Sequence, residues 1–126
     1  MKIHHASITV KDLDQSLKFY CDALGLKFSH RREIPENDAE IAFVKGEGQD
    51  APSLELTYWR GKKEWTDGDQ LDHLAFAVRD VPATVEELRR KGVEIAKEPY
   101  SLRGSQRKIA FIKDPNGIWI ELVQET

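Results

Sequence analysis

The sequence has a single cysteine, Cys21, so no disulfide can form within the chain, and a small disulfide-stapled scaffold is excluded. It has no excess of positive charge: 19 Lys and Arg stand against 22 Asp and Glu, a net charge of −3. A nucleic-acid or acidic-membrane binder would carry a basic surplus, so neither is expected as a partner. No apolar run approaches the roughly 20 residues of a membrane span. With no export signal ahead of Ile3 and one thiol, a cytoplasmic location is expected. What is there is ordinary globular composition, 40% hydrophobic and 33% charged. The 126 residues make one domain's length, able to bury about two-thirds of the surface the unfolded chain exposes.

The chain repeats itself. From His5 to His73 is a shift of 73 − 5 = 68, and His5-Ala-Ser-Ile-Thr-Val-Lys-Asp-Leu13 falls on His73-Leu-Ala-Phe-Ala-Val-Arg-Asp-Val81. The same shift lays Ile41-Ala-Phe-Val-Lys45 on Ile109-Ala-Phe-Ile-Lys113. A loop shorter by two residues then brings Leu54-Glu-Leu56 onto Ile120-Glu-Leu122. Three ordered blocks at nearly one offset indicate a duplicated module of about 55–60 residues, beyond the usual solenoid period.

Each module predicts the order βαβββ. Alternation over residues 3–10 sets Ala6, Ile8 and Val10 on one face and His5, Ser7 and Thr9 on the other, a strand with one apolar side. A helix is expected from an Asp14 N-cap to a Gly25 stop, with Leu13, Leu17, Tyr20 and Leu24 as its inner stripe. Strands are expected near 26–32, 40–45 and 53–58. The second copy has a strand over 72–78, then a helix over 82–91 with Pro82 in its first turn and Val81, Val85 and Leu88 inward. Strands near 93–97, 107–113 and 118–124 follow, the last two joined by the Asp114-Pro-Asn-Gly117 turn. One domain thus comprises modules over about 1–59 and 71–126. The polar arm 60–70 joins them and carries Trp65, an aromatic expected to pack on something, with a partner subunit one candidate.

The repeat singles out four residues: His5, Glu55, His73 and Glu121. His5 lies opposite the apolar side of its strand, and Glu55 and Glu121 lie opposite their Leu and Ile neighbours. All four therefore fall on the sheet face turned away from the helices. A lone strand Glu is most often wetted surface and a lone His a surface residue. Recurrence at matched places is what raises the set above that. If the two sheets curve towards each other, two imidazoles and two carboxylates converge, a donor set suited to nickel, cobalt, zinc or iron. His4 and His30 have no His counterpart, their matches being Asp72 and Glu98; they read as surface residues, with His4 able to support its neighbour.

The sequence resembles the vicinal oxygen chelate superfamily, and within it the short bacterial type of glyoxalase I (lactoylglutathione lyase). The resemblance spans essentially the whole chain. It rests on His5 with Val10-Lys-Asp-Leu13, Phe19-Tyr20, Leu24-Gly-Leu26, Leu54-Glu-Leu-Thr-Tyr58, the His73 segment and Ile109-Ala-Phe-Ile-Lys-Asp-Pro-Asn-Gly-Ile-Trp-Ile-Glu-Leu122. It implies an α+β fold of two βαβββ modules forming a curved mixed-sheet cup. It further implies a homodimer with sites shared between subunits. The short form resembles the nickel- or cobalt-activated subgroup, with zinc as the alternative. The implied reaction isomerises the methylglyoxal hemithioacetal of glutathione, or of another small thiol, to the lactoyl thioester, moving a proton to the neighbouring carbon through an enediolate. A divalent cation would act as Lewis acid, Glu121 as the leading base and Glu55 as its partner, while His5 and His73 stay bound as neutral imidazoles.

The sequence departs from that pattern at the substrate. Thr9 stands where the family usually carries Arg, and Trp59 where it carries Asn, both positions that help bind the thiol in the family. Arg103, Arg107 and Lys108 are candidate replacements for the lost carboxylate partner; the alternative reading is a solvated basic loop. Trp59 and Trp119 are candidates for an apolar pocket wall, or for core or interface. Rival readings are a methylmalonyl-CoA epimerase-like enzyme, which usually has Gln at the place of Glu55, an Fe(II) dioxygenase, a thiol transferase acting on an antibiotic, and a metal-free antibiotic-binding protein.

Overall fold

The structure, a computed structural model, describes residues 3–66, 68, 70–101 and 103–125. The chain divides into two compact units, Met1–Asp67 and Gly68–Thr126. The boundary falls inside the polar arm, of which Asp67 and Asp69 lie outside the described residues.

In the first unit, β1 (Ala6–Thr9) leads into α1 (Leu13–Leu17), followed by β2 (Lys27–Ile34), β3 (Ala39–Lys45) and β4 (Leu54–Trp59). The sheet order is β1-β4-β3-β2, with β1 parallel to β4 and the other pairs antiparallel. Ser7 stands beside Glu55 on β4, Glu55 beside Phe43 on β3, and Phe43 beside His30 on β2. The parallel return requires a crossover, which the helix supplies over the apolar face. Ile8, Val10, Leu13, Tyr20, Ala42, Val44, Leu54 and Leu56 are buried there. Each large side chain removed from water contributes about 1.5–3 kcal/mol.

Three local features differ from the sequence reading. The helix cap is Asp12, not Asp14: Asp12 is extended (φ −151°, ψ 119°) and its carboxylate accepts from the Gln15 amide at 2.8 Å. Asp14 instead sits in the first turn and binds Arg31. The helix widens to a π-helical stretch over Lys18–Ala23, where Leu24 N donates to Phe19 O at 3.0 Å. The strand expected over 3–10 is shorter, so His5 precedes β1 by one residue.

The second unit repeats the plan. It runs β5 (Leu74–Val78), α2 (Val81–Arg90), β6 (Glu94–Ser101), β7 (Lys108–Lys113) and β8 (Trp119–Gln124), with sheet order β5-β8-β7-β6. Asp80, the counterpart of Asp12, caps α2 by accepting from Ala83 N at 3.0 Å. Gln124 on β8 also accepts from Val81 N, at 3.2 Å, which seats the helix on the sheet. Val81, Val85, Leu88, Ala110, Ile112, Ile120 and Leu122 are buried between them. Asp114 sets the hairpin before β8: its Oδ1 accepts from the amides of Asn116 and Ile118, both at 2.8 Å. Gly25 (φ 81°) and Gly92 (φ 83°) follow the two helices in the left-handed conformation that turns each chain back into its sheet.

Candidate metal centre

Each unit builds one His–Glu pair on the sheet face opposite its helix. In the second unit His73 Nε2 lies 2.8 Å from Glu121 Oε2. In the first, His5 Nε2 lies 4.0 Å from Glu55 Oε2. Two donors about 2.1 Å from one ion and roughly at right angles to each other are about 3 Å apart. The His73–Glu121 pair is close to that spacing, and the His5–Glu55 pair is about 1 Å wider. Among the described residues no three His, Cys, Asp or Glu side chains form a group able to hold a metal.

The rings are held in matching ways. Phe43 meets His5 edge-on at 5.2 Å, and Phe111, its counterpart, meets His73 edge-on at 5.6 Å. The residue before each histidine engages Nδ1: Asp72 Oδ1 at 2.6 Å from His73, and His4 Nδ1 at 2.7 Å from His5. An Nδ1–H donated to a neighbour fixes the tautomer that leaves Nε2 as the ligand nitrogen. The Asp72 hydrogen bond is the largest cause raising the His73 pKa; burial, next in size, opposes it, and the charges of Glu121 and Asp72 raise it further. The Asp72 partner was legible as the repeat counterpart of His4, but an acidic residue in an exposed position gave no sign of its use.

The two carboxylates differ. Glu55 Oε1 accepts from the Thr57 hydroxyl at 3.2 Å, and Thr57 Oγ1 is 2.9 Å from Ser7 Oγ. At the positions beside Glu121 that match Ser7 and Thr57 stand Ala75 and Val123, which carry no hydroxyl.

The basic residues separate as well. Arg103 and Arg107 lie in the exposed loop before β7, and among the described residues neither forms an ion pair. Lys108 opens β7 with the alternation of Ala110 and Ile112, the helix-facing side, so the strand does not bring it alongside Glu121. Lys97, register partner of Phe111, reaches this face, with Nζ 5.8 Å from the Phe111 ring and 5.9 Å from Tyr100. A register shift in β6 between Ile95 and Lys97 turns it there, which simple alternation does not foresee. Trp119 packs on Phe111 at 5.6 Å with Lys113 over its ring, whereas Trp59 is 38% exposed at the end of β4. Trp65 folds back on its own unit, beneath Lys11.

Residues 2–122 match the Glyoxalase/Bleomycin resistance protein/Dioxygenase superfamily, and the chain belongs to that family. Within it, the chain is similar to the lactoylglutathione lyase of Haemophilus influenzae, 38% identical over 125 residues covering 98% of this chain and 93% of that one. It is also similar to a probable lactoylglutathione lyase of Synechocystis, 36% identical over 126 residues, covering 98% of this chain and 95% of that one. Among solved structures, glyoxalase I of Zea mays superposes with a TM-score of 0.87 at 33% identity. The match covers 99% of this chain, which spans only 45% of the maize chain. The trypanothione-dependent glyoxalase I of Leishmania major superposes with a TM-score of 0.82 at 34% identity, covering 99% of this chain and 87% of that one. No described helix is long and apolar enough to cross a membrane.

Proposed function

We propose that the chain is a glyoxalase I-type lyase that converts the hemithioacetal of methylglyoxal and a small thiol into the lactoyl thioester. The observation that carries this reading is the repeated His–Glu pair, His5 with Glu55 and His73 with Glu121, in a chain similar over nearly its full length to lactoylglutathione lyases. His5, Glu55, His73 and Glu121 hold a divalent metal, nickel or cobalt in preference to zinc. The likeness to glyoxalase I enzymes supports an active homodimer with sites shared between subunits, and the cytoplasm is the location proposed with it. When bound, the cation supplies Lewis-acid stabilisation of negative charge on the substrate's two adjacent oxygens.

The chain's own groups move the proton. Glu121 takes it from one carbon and returns it to the neighbouring carbon, so no redox partner is needed. Glu55 stays in place on the other side of the substrate. Asp72 keeps the His73 imidazole in the ligand tautomer, and His4 would do the same for His5 by accepting from its Nδ1–H. Lys97, with Arg103 and Arg107, meets the carboxylates of the thiol, and Trp59 and Trp119 offer apolar walls.

Thr9 and Trp59, together with a structural relative that uses trypanothione, support a thiol other than glutathione as the second reading. Purified protein loaded with nickel is assayed with methylglyoxal and glutathione, then with other small thiols. Thioester formation with one of them supports the proposal. Metal-loaded protein inactive with every thiol overturns it.

A further inference from the structure

The two carboxylates come from matched places of a repeat, yet their surroundings are not matched. Thr57 is buried, and its single hydroxyl proton is committed to Glu55 Oε1 at 3.2 Å. The Ser7 hydroxyl, 2.9 Å away, must then donate to Thr57. Ser7, Thr57 and Glu55 thus form a one-directional chain across the parallel β1–β4 pair, in which each bond polarises the next. One oxygen of Glu55 is occupied by this chain, and the other faces His5. In the second unit the same two positions are Ala75 and Val123, which have no hydroxyl to offer, and the described partner of Glu121 is His73.

We propose that the Ser7–Thr57 hydroxyl pair is a positioning device that fixes Glu55 as a permanent metal ligand. With no hydroxyl at the matching Ala75 and Val123, Glu121 would be the less restrained carboxylate and so the one available as the base. This assignment rests on the proposed function, since it divides labour between the two carboxylates of that site. Duplication would have begun with equivalent halves; two hydroxyls on one side are enough to separate a holder from a mover. Neither Ser7 nor Thr57 touches substrate in this account.

The test measures nickel affinity by calorimetry on the intact, metal-stripped protein, with kcat and KM followed in parallel. Thr57→Val keeps shape and removes the hydroxyl, and it should weaken nickel about 10- to 100-fold, as loss of a group that orients a ligand typically does. Ser7→Ala should shift affinity in the same direction by less, and it stands in if Thr57→Val fails to fold. Thr57→Ser should restore parental affinity, which a purely packing role for the threonine methyl would not allow. Val123→Thr, which gives Glu121 the missing tether, should leave nickel bound at least as tightly while lowering kcat. Parental affinity in both Thr57→Val and Ser7→Ala overturns the tether. Glu55→Gln separates the two claims. If it weakens nickel while the hydroxyl variants do not, only the tether falls; if it leaves nickel affinity untouched, the ligand assignment falls and takes the tether with it.

Discussion

His73 donates from Nδ1 to the Asp72 carboxylate across 2.6 Å, while its Nε2 faces the Glu121 carboxylate at 2.8 Å. Asp72 thereby raises the His73 pKa. The stability this adds is complete below the unfolded histidine's pKa and is lost as pH rises through the raised folded value. In metal-free protein, Asp72→Asn should lower the His73 pKa, read by NMR titration of the imidazole. An unchanged pKa would contradict the arrangement. The same variant should weaken metal binding about tenfold or more.

Glu121→Gln keeps a metal-binding oxygen but removes the base. Turnover should fall about 10²–10⁴-fold, the usual worth of a positioned general base. Metal analysis of the same sample should still find metal.

Lys97→Ala tests how the thiol's carboxylates are met. Loss of one charge-assisted contact should raise KM about tenfold with kcat little changed. An unaltered KM would move that role to Arg103 and Arg107.

Away from the site, Arg31 joins β2 to β3 through Glu40 at 2.9 Å and to the start of α1 through Asp14 at 2.5 Å. The Arg31 hydrogen bond lowers the Glu40 pKa. A carboxylate with a depressed folded pKa stabilises above its unfolded pKa and loses that contribution as pH falls through the folded value. Glu40→Gln should therefore cost about 0.5–1 kcal/mol at neutral pH, the range of a partly exposed pair, and little in acid. Denaturant melts at both pH values check the sign.

The repeat made much of this legible. It gave the βαβββ order, the inner stripe of α2 and the four candidate ligands, because period-two alternation and matched spacing survive in one sequence. It also held the correct cap: Asp12 aligns with Asp80, and both cap, whereas Asp14 has no acidic partner at its match, Pro82. What escaped depends on contacts rather than pattern. The register shift that turns Lys97 onto the Phe111 face breaks alternation, and the Ser7–Thr57 bond joins residues fifty positions apart. The π-helical stretch after Leu17 likewise follows no local signal in the apolar stripe.

The most direct test strips the protein with chelator and titrates nickel back while thioester formation from methylglyoxal and a small thiol is followed. Activity should be absent without metal and rise with nickel to a plateau at one ion per chain, and Glu121→Gln should bind the same nickel without turning over. Undiminished activity in the stripped protein, or a Glu121→Gln variant at the parental rate, would contradict the account.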